Sequence, residues 1–467
     1  MLIAAAAMLA FGPRGAPAAG DGLTVVTYWE KWTGEEGRQM QSIVEAFNRT
    51  VGREKRIQVN YLSISQLDRK ALISTAAGVP PDIVGLWQKD LVGFAARGAL
   101  EPLDDLAAAH GISAGNYKPV FWDMCTYQGR LYGLISTPAT VALHYNRWDY
   151  LSAAEALRAA GVDPTRPPTS IAELDRYALA LDLHRPDGQL DRAGYLPMEP
   201  GWFITVTPFW FGGKLWNPET GEMHFTSPRT LRAFDWVQSY PRRLGKAALS
   251  DFSSQFGNFD SPTNAFLVGK VSMVQQGPWM ANYIYKLRPS MSEALVPKSI
   301  ELFLPRAVRE FNYRWAASTF PSDLPELTDV TFADADLLLI PRGARHKREA
   351  FEFLAFTQRQ DVTERLNSMH CKPSPLATVS DDFVRRHPNP YISTFERLAG
   401  SPNAHKQVPS PLQPEIGAEL EVAIQELYLL KKSVPQAMQD LERRARAKFE
   451  QFQRRAAQRA GGEAPRS

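Results

Sequence analysis

Residues 265–283 read AFLVGKVSMVQQGPWMANY. Ala265, Phe266 and Leu267 close an amphipathic run, Gly269-Lys270 reads as a helix C-terminus with its left-handed glycine, and Val271, Met273 and Gln275 alternate as in a short half-buried strand. Gly277-Pro278 then stops the strand, and Trp279 follows. An aromatic set just after a strand lies where open α/β sheets hold ligands, at the carboxyl ends of their strands. Trp279 is therefore the first candidate for a ligand-stacking residue. The alternative for the same ring is a core aromatic capping its own domain.

Nearer the N-terminus the same alternation of strand and helix repeats. Leu23 to Tyr28 is β-rich, Glu35 to Asn48 is an amphipathic helix with Met40, Ile43, Val44 and Phe47 on one face, and Ile57 to Leu62 is a second strand. Gln66 to Ala77 is a second helix and Ile83 to Leu86 a third strand. A βαβαβ order implies parallel strands with right-handed crossovers, so the segments Trp29 to Thr33 and Trp87 to Asp90, read as loops, share one edge. Each combines an indole with polar groups. A pyranose has an apolar C–H face that stacks on a ring and a rim of hydroxyls that pair with carboxylates and amides. Trp29, Glu30, Trp32, Trp87, Gln88 and Asp90 are the candidates here, against burial of the indoles under a neighbouring helix; Lys31 and Lys89 read as solvated charges.

The chain has 467 residues, enough for two large lobes. A net charge of +3 spread along the sequence gives no basic stripe, so nucleic acid is not implied. Two cysteines far apart, Cys125 and Cys371, cannot build a disulfide framework or a cysteine-based zinc site, and whether they pair is open. Leu2 to Phe11 has the length of a signal-peptide core, and Ala16-Pro17-Ala18 gives the small-x-small pattern before a cut. Residues 1–18 therefore read as an export signal, although the first positive charge, Arg14, comes after the apolar run.

Several motifs, taken in order, carry a family resemblance. GKVSMVQQGPW, then Ala77-Gly78-Val79-Pro80-Pro81-Asp82-Ile83-Val84, Gly98-Ala99-Leu100-Glu101-Pro102-Leu103, and Tyr132-Gly133-Leu134 followed by Leu143-His144-Tyr145-Asn146, resemble the bacterial extracellular solute-binding proteins of carbohydrate ABC importers, the maltose-binding type. Pro168-Thr169-Ser170 resembles the family's helix start. Glu199-Pro200-Gly201-Trp202, ahead of Phe203 to Phe211 and Gly212-Gly213, resembles the segment that gives the sugar a carboxylate and a ring, so Glu199 and Trp202 inherit those roles as hypotheses. A carboxylate favoured by a helix N-terminus is the alternative for Glu199. Ala333-Asp334 falls where the family often has Gly-Gly in a turn, which makes Asp334 a further contact candidate. Ser136, Thr137 and Thr140 could face the ligand, while Trp122, Trp148, Trp210, Trp216 and Trp236 are assigned to packing.

The resemblance implies an α/β fold, the two-lobed periplasmic-binding-protein clamp, with discontinuous lobes joined by three crossovers. Lobe 1 is expected over 23–143 and 324–372, lobe 2 over 144–323 and 373–453, with 454–467 a disordered tail. It implies an extracytoplasmic, monomeric protein that captures a mono- to oligosaccharide in an interlobe cleft and delivers it to the membrane permease subunits of an ABC transporter. No cofactor or metal is expected. ATP would be hydrolysed by a separate subunit, and the chain holds neither GxxxxGK[ST] nor GxGxxG. The competing class is a secreted carbohydrate-active enzyme. HExxH and GxSxG are absent, but a pair of carboxylates among 50 acidic residues would suffice for a glycosidase. A third reading keeps the clamp and changes the ligand to a glycerophosphodiester, polyamine or peptide.

Overall fold

A computed structural model describes residues 22–295 and 312–462. The expected export signal, 1–18, lies outside these residues, as do 463–467 of the expected tail. The chain divides into two compact units: unit 1 comprises residues up to 113, 125–136 and 336–366, and unit 2 comprises 114–124, 137–335 and 367 onward. The chain therefore passes between units after 136, 335 and 366, and the excursion of 114–124 into unit 2 adds two further passages.

Unit 1 is built on a parallel core. Strand β1 (Thr24–Glu30) leads through α1 (Gly34–Arg49) to β2 (Ile57–Ser63), and α2 (Leu67–Ala76) leads to β3 (Ile83–Trp87). Both β2 and β3 pair parallel with β1, as the alternating pattern dictates. Glu35 and Glu36 sit in the first turn of α1 and Arg49 in its last, complementing the helix dipole, and Met40, Ile43, Val44 and Phe47 are buried at helical spacing. Phe47 packs edge-on against Phe353, with ring centroids 5.4 Å apart. Its full burial contributes about 2–3 kcal/mol.

Two expectations in this unit are corrected. Trp29 and Glu30 belong to β1, because that strand keeps its pairing with β2 as far as Ser63. The loop after β1 is confined to 31–33, and none follows β3: Trp87 ends that strand and also caps α3 (Gln88–Ala96), so Gln88 and Asp90 lie in a helical first turn.

Downstream, β4 (Gly133–Thr140) and β5 (Ala142–Asn146) lead to a short helix α4 (Arg147–Ser152), whose N-terminal amides at Trp148 and Asp149 donate to the Asn146 side chain. A second short helix, Ala154–Ala159, follows at once. Helix α5 (Ile171–Leu181) is capped by Ser170, which accepts from the Glu173 amide, while Glu173 accepts from Thr169 and Arg166. The apolar run from Phe203 forms a 3₁₀ segment, Ile204–Phe211, ending at the left-handed Gly212.

The unit 2 sheet runs in the order β8-β5-β7-β6, extended by the two-residue strand Leu183–His184, where β6 is Leu190–Tyr195, β7 Val271–Gln276 and β8 Trp315–Ser318. Residues 264–269 form a single helical turn instead of the end of a helix. Asn264 accepts from the amides of Phe266 and Leu267, and Lys270 donates back to the Ala265 carbonyl.

Strand β9 (Thr331–Leu339) contains the segment read as a turn at 332–336. β-branched and apolar neighbours keep Ala333-Asp334 extended, and Asp336 through Leu339 pair antiparallel with β3. Helices α6 (Gln413–Tyr428) and α7 (Val434–Gly462) close the described chain. Cys125 and Cys371 are both buried, and no disulfide joins them.

Candidate functional site

In unit 1 the candidates gather around Lys31. Side chains on β1 alternate, so Val26, Tyr28 and Glu30 share its buried face. Glu30 faces Gly85 of β3 in register, and a Cβ at Gly85 would lie 1.9 Å from the Glu30 carboxylate; only glycine leaves room for that side chain. Glu30 accepts from the Tyr28 hydroxyl at 2.5 Å and from the Lys31 amide at 2.8 Å. The Lys31 ammonium lies 3.3 Å from Glu30 and 2.9 Å from Asp336, which β9 places opposite Trp87.

Lys31 was expected to be solvated, but its side chain is only 5% exposed. The correction follows from β1 running on to Glu30, which carries Lys31 to the edge where β9 supplies an acid. Burial alone would lower the Lys31 pKa; the Asp336 and Glu30 carboxylates outweigh it and raise it. Burial raises the Glu30 pKa, with Lys31 and then Tyr28 pulling against it. Glu30 thus positions Lys31, its own oxygens enclosed.

Around this cluster stand the indoles. The Lys31 ammonium is 4.8 Å from the Trp32 ring centroid and 5.2 Å from that of Trp87, and Lys89 lies 5.1 Å from Trp87. Trp87 is 41% exposed, whereas Trp32 and Gln88 are buried and Trp29 is half-buried. Asp90 has one carboxylate oxygen buried without a hydrogen-bond partner, and burial pushes its pKa up to about 6. Unit 1 therefore offers one open indole face and one acceptor in need of a donor.

In unit 2, β7 ends at Gln276 and the chain turns at Gly277-Pro278 into the helix Met280–Leu287. The Trp279 ring folds back over Gly277, where a Cβ would come within 2.3 Å of it. The centroid of Trp202 is 6.5 Å from that of Trp279, and Phe259 lies edge-on at 4.8 Å from Trp202 and 6.4 Å from Trp279. Trp202 remains 44% exposed, and the Trp279 indole nitrogen is buried without a hydrogen-bond partner. The Lys372 ammonium lies 5.8 Å from the Trp279 ring and donates to the Thr137 hydroxyl at 2.7 Å.

Glu199 is tied to the same loop, hydrogen bonded to the Asn264 side chain. Burial pushes its pKa up to about 7 and the Asn264 bond works against that rise. Two indoles anticipated from distant segments thus meet.

Asp334 lies on β9, accepting from the Ala335 amide at 2.8 Å. The Ser136 hydroxyl donates to the Asp336 carbonyl and that of Thr140 to the Phe395 carbonyl, so both are spent within the fold. Phe259, Asp336 and Lys372 were missed. A lone aromatic in the Gly257-Asn258-Phe259-Asp260-Ser261 loop was the available signal for the first; no local signal marks the other two. Trp210, Trp216 and Trp236 are buried as expected, whereas Trp148 is 49% exposed.

The sequence pattern of the bacterial extracellular solute-binding proteins matches residues 31–363. The chain belongs to that family. Among curated relatives, this solute-binding protein is 25% identical over 283 residues to the sn-glycerol-3-phosphate-binding periplasmic protein UgpB of Pectobacterium atrosepticum, covering 58% of each chain. It is 23% identical over 259 residues to the protein of that name from Yersinia pseudotuberculosis. It thus spans little more than half the length of these relatives.

Solved structures give the fold. The sugar-binding protein MalE from Xanthomonas citri matches with a TM-score of 0.71 at 18% identity, covering 93% of this chain and 100% of that one. The mannotriose-bound protein CpMnBP1 matches at 0.70 and 21%, covering 90% and 100%. A solute-binding protein from Thermotoga lettingae bound to α-D-tagatose matches at 0.68 and 19%, covering 91% and 100%. The solute-binding protein thus has the α/β fold of the two-lobed periplasmic binding proteins. Among its described residues no helix is long and apolar enough to cross a membrane.

Proposed function

We propose that this solute-binding protein captures a carbohydrate, from one to several sugar units, outside the cytoplasm and delivers it to the membrane subunits of an ABC importer. It acts as a monomer and performs no chemistry on its ligand, and residues 1–18 serve as its export signal. The observation that carries the reading is the ring surface of Trp202, Phe259 and Trp279, in which Trp202 stays open, with a half-buried Glu199 hydrogen bonded to Asn264. Sugar C–H faces stack on such rings, and the hydroxyl rim needs acceptors and donors of the kind that Glu199 and Lys372 supply.

A phosphate-bearing ligand, the class that the curated relatives are named for, needs a cation with charge to spare. Lys31 is held by two carboxylates, so it has no charge to spare for a phosphate at that indole pair. The test is a thermal-shift and calorimetric screen over mono- and disaccharides, with sn-glycerol 3-phosphate as the competing arm and chromatography of the mixtures for product. A sugar that stabilises the protein and is recovered intact supports the proposal. Stabilisation by sn-glycerol 3-phosphate alone, or cleavage of a sugar, contradicts it.

A further inference from the structure

Strand β5 runs antiparallel to β7, with Ala142 opposite Gln276 and Tyr145 opposite Met273. The C-terminal end of β5, at Asn146, therefore lies at the edge of the unit 2 sheet opposite Trp279. At that edge is a pocket of about 140 Å³ lined by Asn146, Trp148, Leu267, Arg288, Met291 and Arg314, among others.

Its walls combine an exposed indole with two guanidinium groups. The Arg314 guanidinium lies 5.1 Å from the Trp148 ring centroid, and one of its terminal nitrogens is 3.1 Å from Glu293. Its Nε is buried and has no acceptor among the described residues. Arg288 is exposed and has no side-chain hydrogen bond or ion pair among those residues. Among the described residues Glu293 is the acid paired to Arg314, so these two arginines outnumber it on the pocket walls. A buried N–H donor without an acceptor is costly, and a planar guanidinium fork matches the paired oxygens of a carboxylate or phosphate. The volume equals that of four to five waters at roughly 30 Å³ each, enough for one such group.

We propose that the Trp148–Arg288–Arg314 pocket is an oxyanion-binding site, independent of the sugar surface, that takes a carboxylate or phosphate group. The Arg314 and Arg288 guanidinium groups donate to the anion, and Trp148, with its ring centroid 5.1 Å from the Arg314 guanidinium, walls one side.

The test labels the full chain with 5-fluorotryptophan and follows the Trp148 fluorine resonance, assigned with Trp148→Phe, at fixed ionic strength. Inorganic phosphate and acetate are the probes, with sodium chloride as control. The proposal expects a saturable shift of the Trp148 line with at least one probe and no movement of the Trp279 line. Binding should weaken about tenfold in Arg314→Lys, which keeps the charge but loses the fork, and similarly in Arg288→Gln. Tighter binding of phosphate assigns a phosphate-bearing ligand; tighter binding of acetate assigns a carboxylate-bearing one. A shift that chloride reproduces, or saturation unchanged in both arginine variants, overturns the site. Should Arg314→Lys fail to fold, the exposed Arg288 carries the test alone.

Discussion

Glu199→Gln should remove a specific pH dependence of stability. In the folded protein the Glu199 pKa is pushed from near 4.5 up to about 7, with burial the leading cause. A carboxyl whose folded pKa lies above its unfolded value binds its proton more tightly when folded. Its stabilisation is full below about pH 4.5 and is lost as pH rises through 7. The difference of about 2.5 in pKa, at about 1.4 kcal/mol for each, sets a ceiling of about 3.5 kcal/mol, and partial solvent access brings it to about 2 kcal/mol. Glutamine keeps the shape and the bond to Asn264 without the ionisation.

The assay is urea unfolding of both proteins at several pH values between 4.5 and 8, followed by tryptophan fluorescence. All other titrating groups are common to the two chains, so the difference in stability between them isolates Glu199. The variant should gain about 2 kcal/mol on the wild type between pH 4.5 and 8, most of it between 5 and 7. A difference that stays flat across that range would refute the argument that burial holds the carboxyl protonated.

Gly85→Ala drives a methyl into the Glu30 carboxylate, 1.9 Å from the ideal Cβ, and should cost about 2–4 kcal/mol, read as a lowered melting temperature. Lys31→Met leaves Glu30 and Asp336 buried without their cation and should cost about 3–5 kcal/mol in denaturant unfolding at neutral pH, with part of the loss recovered in acid as the carboxylates protonate. Gly277→Ala puts a methyl 2.3 Å from the Trp279 ring, so the ring must swing away; sugar affinity measured by calorimetry should fall about tenfold, with a smaller effect on melting temperature.

Elements whose sequence signal is local were legible. The buried stripe of α1, the parallel order of β1, β2 and β3, and the Ser170 cap of α5 each follow from spacing within one segment. Trp202 and Trp279 were legible as rings, and motif order carried their common surface.

What escaped the reading depends on pairing between distant segments. Lys31 looks solvated until β9 brings Asp336 beside it, and Asp334 looks like part of a turn until the same strand is seen to run through it. Burial of Glu30 over Gly85 requires the β1–β3 register, which periodicity alone does not fix. Phe259 sits in a loop whose Gly, Asn, Asp and Ser say only that the chain turns, so its contact with Trp202 depends on three-dimensional packing.

Calorimetry of Trp279→Ala and Trp202→Ala against the sugar found by thermal shift is the most direct measurement on the ring surface. Each variant should bind at least about tenfold more weakly than wild type while melting within a few degrees of it. Wild-type affinity in both, with the fold retained, would contradict the assignment of these rings to sugar capture.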